Sequence, residues 1–220
     1  MQPPGVRALV IVHVVLVGAF ALIALLDPPA QGWAVLGCVV LYNVALPLTA
    51  RAVNRPDVLA LWAFLLPVSL FQLLPDWVLA AQVGTLRFPD TGGIRVADTI
   101  PVAMAGMWVA PLLITVLVAG ESAWRAAVAA LVLFAGAEFA APVLAVWEPT
   151  TAASQVGGVA LYVLPAEAAL GAATLVAWRW ARDRTRLEQV GAALGVATFY
   201  LGALALAHFL LDQATYSISV

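Results

Sequence analysis

Long apolar runs, cut by charges, prolines and glycine clusters, set the rhythm of this chain. Seven windows stand out, near residues 6–26, 33–50, 58–75, 101–119, 126–147, 157–178 and 189–211. Each approaches the roughly 20 residues that a helix needs to cross about 30 Å of hydrocarbon. The third window continues through Pro75-Asp76-Trp77 to Leu86. It is expected to break at Pro75 into a short interfacial or re-entrant piece, because proline removes a backbone donor and crowds the preceding turn.

Composition agrees with the pattern. Hydrophobic residues make up 64% of the chain and charged residues 10%, against roughly 45–50% and 25% in soluble domains. The expected fold class is therefore all-α: a polytopic membrane helical bundle of about seven transmembrane helices, one domain over residues 1–220, multi-pass in the cell membrane. Membrane lipids are the expected surroundings and nucleic acid is not an expected partner; nothing in the pattern speaks to oligomeric state. The apolar run after Arg7 exceeds the 7–15 residues or so of a signal-peptide core, and it reads as a retained first helix. The lone Cys38 offers neither a disulfide framework nor a metal-type spacing.

Charge refines the topology. The ten basic residues are all arginine. With the N-terminus inside and the C-terminus outside, Arg7, Arg51, Arg55, Arg125, Arg179, Arg182, Arg184 and Arg186 are cytoplasmic, and only Arg87 and Arg95 lie outside, as the retention of basic residues on the cytoplasmic face requires. The stretch Arg179–Arg186 reads as a topology anchor, with an anionic-lipid patch as the alternative. Gly191 and Gly195 form a G-x-x-x-G that permits close helix contact. A weak internal repeat also shows: Gly92-Gly93-Ile94 before Ile100-Pro101 resembles Gly157-Gly158-Val159 before Leu164-Pro165. Spans three and four thus read as a possible parallel repeat of spans five and six.

Two acids fall inside the apolar windows. Glu138 is placed about 12 residues into a rising helix and Glu167 about 10 into a descending one, both near the bilayer centre. A charged carboxylate there costs on the order of 3 kcal/mol, so each is expected to face the bundle interior and to be held in its neutral, proton-donating form. The structural alternative is a hydrogen bond to a neighbouring helix, for instance to Asn43. Prolines 142 and 165 lie within a turn of these acids and favour kinks beside a cavity. A second polar group gathers at the outer ends of the spans: Gln72, Asp76, Asp90, Asp98, Glu148, His208 and Asp212. Asp76, Asp90 and Asp98 carry the oxygen ligands a hard cation would take; solvated loop acids are the plainer reading, and no metal is assigned. His13, deeper in the first span, is a candidate member of a proton path.

Six tryptophans, at 33, 77, 124, 147, 178 and 180, lie near span ends and fit an interfacial belt. Trp108, Tyr162 and Tyr200 lie inside spans, and with Asn43 they are the candidate substrate-binding residues. Their ring faces suit a developing carbocation, and core packing explains them as well.

The stretch Trp147-Glu148-Pro149, Gly157-Gly158-Val159 and Leu164-Pro165-Ala166-Glu167 resembles the small membrane lycopene cyclases, whose duplicated three-helix halves carry a Pro-x-Glu motif. More loosely, Phe88 to Trp108 resembles the related carotenoid hydratases. Together the two likenesses cover residues 88–178. They imply an isoprenoid substrate, cyclisation or hydration begun by protonation, no cofactor, and Glu167 as the acid. This chain has Ala168 where the family usually has a second acid, and Ala103 where the first half would match Glu167.

The absence of any lysine excludes a retinal protein, and no Walker-type loop or H-E-x-x-H pair is present. Three readings follow: an enzyme acting on an isoprenoid or other lipid, with Glu167 as acid assisted by Glu138; a proton-coupled transporter or channel; or a non-catalytic membrane subunit.

Overall fold

A computed structural model describes residues 5–213. About 71% of the chain is helical and there is almost no sheet. The helices are α1 (Val6–Ile23), α2 (Ala30–Ala52), α3 (Pro56–Phe71), α4 (Leu73–Trp77), α5 (Met104–Met107), α6 (Val109–Ala119), α7 (Ala123–Ala140), α8 (Val163–Ala181) and α9 (Arg186–His208). Wider π-helical turns extend α4 over Val78–Val83 and α9 over Phe209–Gln213. Among the described residues five helical stretches are long and apolar enough to cross a membrane: Val6–Ile23, Ala30–Ala52, Pro56–Val83, Ala123–Ala140 and Arg186–Gln213. The α5–α6 segment, Met104–Ala119, is apolar but shorter. Helix α8 has 19 residues, and its apolar stretch is interrupted by Glu167 and Arg179.

The two ends of the bundle differ. At one end the connections are tight turns, over 53–55, 120–122 and 182–185. This end holds Arg51, Arg55, Arg125, Arg179 and Arg182–Arg186, and Arg179 is paired with Glu121 at 2.8 Å across the α6–α7 and α8–α9 turns. Helix α9 starts there on a capping box, in which Thr185 and Glu188 satisfy each other's backbone donors. At the opposite end the connections are long and fold into a cap of short strands: β1 (Leu86–Arg87), β2 (Arg95–Val96), β3 (Ile100–Pro101), β4 (Glu148–Pro149), β5 (Gln155–Val156) and β6 (Val159–Ala160). Strands β2–β3 and β5–β6 are hairpins, and β1 pairs antiparallel with β4, Arg87 opposite Glu148. An Arg87–Glu148 ion pair closes that ladder.

The cap explains where the helix boundaries depart from the apolar windows. The expected spans 126–147 and 157–178 are observed as Ala123–Ala140 and Val163–Ala181. Residues 141–147 and 157–162 were included in the apolar windows, but Pro142 and the pair Gly157-Gly158 send the chain into turns. Both of those glycines have positive φ, +62° and +83°, in a two-residue hairpin loop that demands it. The expected break near Pro75 is mild: α3 passes into α4 through Gln72, and the helix continues to Val83 with widened turns rather than re-entering.

Core packing is tightest between α7 and α8. A Cβ at Gly171 would run into Ala130 and the Ala126 carbonyl, so the small residues Ala126, Ala130 and Gly171 let the two backbones meet. Gly191 and Gly195, the expected close-contact pair, face open space. The outward faces are apolar instead of polar: Val14, Val17 and Leu22 on α1, Val118 on α6 and Val132 on α7 are all exposed. Such surfaces fit a hydrocarbon surrounding.

Candidate functional site: a carboxyl-bearing cavity beneath the cap

Directly under the cap, α4, α5, α6, α7, α8 and α9 enclose a cavity of about 230 Å³, with Leu16 and Phe20 of α1 forming part of one wall. Its lining is almost wholly apolar, including Leu79, Phe88, Met104, Phe134 and Val163. Into this surface are set three carboxyl groups, Asp76, Glu138 and Glu167, and three polar-edged aromatics, Trp108, Trp147 and Tyr200. No arginine, lysine or histidine belongs to the lining among the described residues.

The two glutamates are delivered by helix ends, and Asp76 by the continuous helical stretch that runs on to Val83. Asp76 is in α4, Glu138 lies two residues before the end of α7, and Glu167 is the fifth residue of α8. At about 1.5 Å per residue the two glutamates sit roughly 3 and 6 Å inside their helix ends, one layer below the cap rather than at mid-depth. Within the helices the two acids are therefore off-centre, because the helices stop at Ala140 and start at Val163, short of the apolar windows. All three acids are buried: Asp76 is 4% exposed, Glu138 8% and Glu167 2%. All three line the same cavity.

The hydrogen bonding is uneven. Trp147 donates from its indole N–H to Glu138 at 2.9 Å. Asp76 Oδ2, Glu167 Oε2 and Trp108 Nε1 are buried and have no hydrogen-bond partner. The Trp108 ring itself is fixed by packing, tilted on Phe134 at 5.2 Å and edge-on to Tyr200 at 5.7 Å. Its position also reflects a helix break. Pro111 lacks the N–H that would reach the Met107 carbonyl, α5 stops at Met107 and α6 restarts at Val109. The Ser69 hydroxyl accepts from the backbone N–H of Trp108 at 3.1 Å.

Of the sequence candidates, Asp76, Glu138, Glu167, Trp108 and Tyr200 meet in the cavity. Asn43 does not: its amide donates to the carbonyls of Val39 and Gly106, and its Oδ1 accepts from Trp62 at 3.3 Å, so it braces α2 against the broken helix. Tyr162 is turned into the cap, with its hydroxyl 2.8 Å from Thr85 Oγ1 and its ring edge-on to His208.

The proposed outer-mouth group is dispersed. Asp76 is a cavity acid. Asp90 is exposed and lies 3.7 Å from Arg95, while Asp98 is a hairpin residue with φ +52° on the exposed turn between β2 and β3. His208 donates to the buried Asp212 at 2.7 Å, and Asp212 accepts from the Ser154 backbone, tying α9 to the cap. Among the described residues no set of three or more His, Cys, Asp or Glu could hold a metal ion. His13 pairs with Tyr42 at 3.1 Å between α1 and α2, away from the cavity lining.

Two participants were assigned elsewhere by sequence reading, Asp76 to the outer mouth and Trp147 to the interfacial belt. Asp76 had a signal for the cavity, since an acid within an apolar run extending to Leu86 belongs with the other intramembrane acids. Trp147 had none, because its partner Glu138 is reached only by the turn that ends α7.

Residues 73–211 match a family described as a domain of unknown function, DUF6989. The chain belongs to this family. The match takes in all six polar and aromatic cavity residues, from Asp76 to Tyr200, while Leu16 and Phe20 lie outside it. No curated protein matches the chain, and no solved structure does.

Proposed function

We propose that the protein is a membrane-embedded enzyme acting on an isoprenoid or other lipid, with cyclisation or hydration begun by protonation of an alkene. The observation that carries this reading is the set of three carboxyl groups, without a basic partner, in one apolar and aromatic cavity. In such surroundings an ionised carboxylate is poorly solvated, so a carboxylic acid retains its proton and can give it to carbon. Glu167 is the acid. Glu138, oriented by Trp147, receives or returns a proton or steadies the developing positive charge, and Asp76 is a third acid of the same cavity. The rings of Trp108 and Tyr200 offer their faces to that charge. Resemblance to the small lycopene cyclases points the same way through Glu167.

In this reading the bundle crosses the membrane seven times, with α5–α6 and α8 joining the five longer helices. The arginine-rich end is cytoplasmic, the N-terminus is inside, and the cap faces out. The lipid enters sideways, past Leu16 and Phe20. Glu167→Gln is expected to slow conversion of candidate polyprenes by the full-length protein in lipid vesicles by about 10²–10⁴-fold; unchanged conversion would overturn the assignment. The transporter reading has less support, because the buried acids gather in one layer under the cap and His13, bonded to Tyr42, is not part of the cavity lining.

A further inference from the structure

Three polar atoms of the cavity walls, Asp76 Oδ2, Glu167 Oε2 and Trp108 Nε1, are buried without a hydrogen-bond partner. Their residues are each at least nine-tenths buried and all line the same space. They differ in kind: the indole N–H can only donate, whereas a carboxyl oxygen accepts. The Trp108 indole N–H lies within reach of the Asp76 carboxyl, but no bond of ordinary distance and angle joins Nε1 to Oδ2. A purely hydrocarbon ligand would leave all three atoms unsatisfied and take away any water that reached them, an unfavourable arrangement for buried polar groups. One ligand hydroxyl would complement both kinds at once, accepting from Trp108 and donating to a carboxyl oxygen. The second indole of the cavity does not compete, since Trp147 is already bonded to Glu138.

We infer that the ligand of this cavity is a hydroxyl-bearing isoprenoid, its oxygen held between Trp108 and Asp76 and its hydrocarbon chain against Leu79, Met104 and Phe134. This rests on the lipid-enzyme reading of the cavity and narrows it, from hydrocarbons in general to oxygenated ones.

The test is equilibrium binding, which needs no turnover. Farnesol and its hydrocarbon counterpart farnesene are titrated by calorimetry into the full-length protein in lipid nanodiscs, with partitioning into empty nanodiscs subtracted. The expected result is that farnesol binds about tenfold more tightly, a difference on the scale of one buried hydrogen bond. Trp108→Phe is expected to bring the two within about twofold of each other. Asp76→Leu, which removes the opposite side of the hydroxyl site, is read in the same way should Trp108→Phe not fold. Equal affinities in the unmodified protein would overturn the inference and leave the cavity reading intact. Binding of neither probe, together with no Glu167-dependent conversion of polyprenes, would overturn the cavity reading and the inference with it.

Discussion

The segment from α3 to α6 and the segment from α7 to α8 follow the same order of elements: a helix, a single short strand, a hairpin, a helix. Asp76 lies ten residues before the start of β1, and Glu138 lies ten before the start of β4. Trp108 lies eight residues after the start of β3, and Glu167 eight after the start of β6. Strands β1 and β4, the matching single strands, pair antiparallel and in register with each other, as strands exchanged by a two-fold axis must. At matching positions of the rising helices, then, both halves carry an acid. At matching positions of the descending helices one half carries a glutamate and the other a tryptophan. The difference teaches where specialisation lies. An acid in each half frames the cavity, and the position that Glu167 uses to offer a carboxyl is used by Trp108 to offer an N–H and a ring face.

The sharpest way to break this comparison is at Glu167. Its replacement by Gln is expected to lower the rate of conversion by about 10²–10⁴-fold, the usual worth of a positioned acid. Trp108→Phe, at the matching position, is expected to cost no more than about tenfold in rate. Comparable losses for both, measured as single-turnover rates in vesicles, would remove the asymmetry. Asp76→Asn and Glu138→Gln probe the shared position and are expected to resemble each other, each about 10–10²-fold slower. A Glu138 variant with full activity beside an inactive Asp76 variant would show that the two acids are not equivalent.

Stability offers smaller effects. Gly171→Leu, which forces a side chain into the α7–α8 contact, is expected to cost about 3 kcal/mol, whereas Gly191→Leu on the open face of α9 is expected to change stability by under about 0.5 kcal/mol. Thermal melts in one detergent compare the two. The smallest effect separates the hairpins. The β5–β6 loop has glycines at its two positive-φ positions, but the β2–β3 loop places Ala97 at φ +48°. Ala97→Gly is expected to stabilise by about 0.5–1 kcal/mol and Gly158→Ala to destabilise by about 1 kcal/mol. Melting shifts of the same sign would show that backbone strain does not distinguish the loops.

The repeat illustrates how far the sequence could be read. The two Gly-Gly pairs that suggested it occupy different places: Gly157-Gly158 is the β5–β6 turn, while Gly92-Gly93 precedes the β2–β3 hairpin and packs against the N-terminal turn of α2 near Gly32. Aligning on the glycines sets Ala103 opposite Glu167, and aligning on the strands sets Trp108 there. Glu138 and Glu167 were legible because an acid in an apolar run has few places to go. Asn43 and Tyr162 were indistinguishable from cavity residues, since a buried polar side chain looks the same in sequence whether it braces a helix or faces a ligand.

By itself the sequence determined the all-α character, the apolar exterior and the separation of the chain's arginines toward one set of connections. These depend on composition and on the distance between polar interruptions, and both are local properties. Only the tertiary structure decided that residues 141–147 and 157–162 belong to the cap instead of to helices, that Asp76 joins Glu138 and Glu167, and that Trp147 bonds a cavity carboxyl. Those outcomes depend on which helix ends are brought under the same cap, and the pairing of β1 with β4, some sixty residues apart in the chain, is a long-range contact that no local pattern encodes.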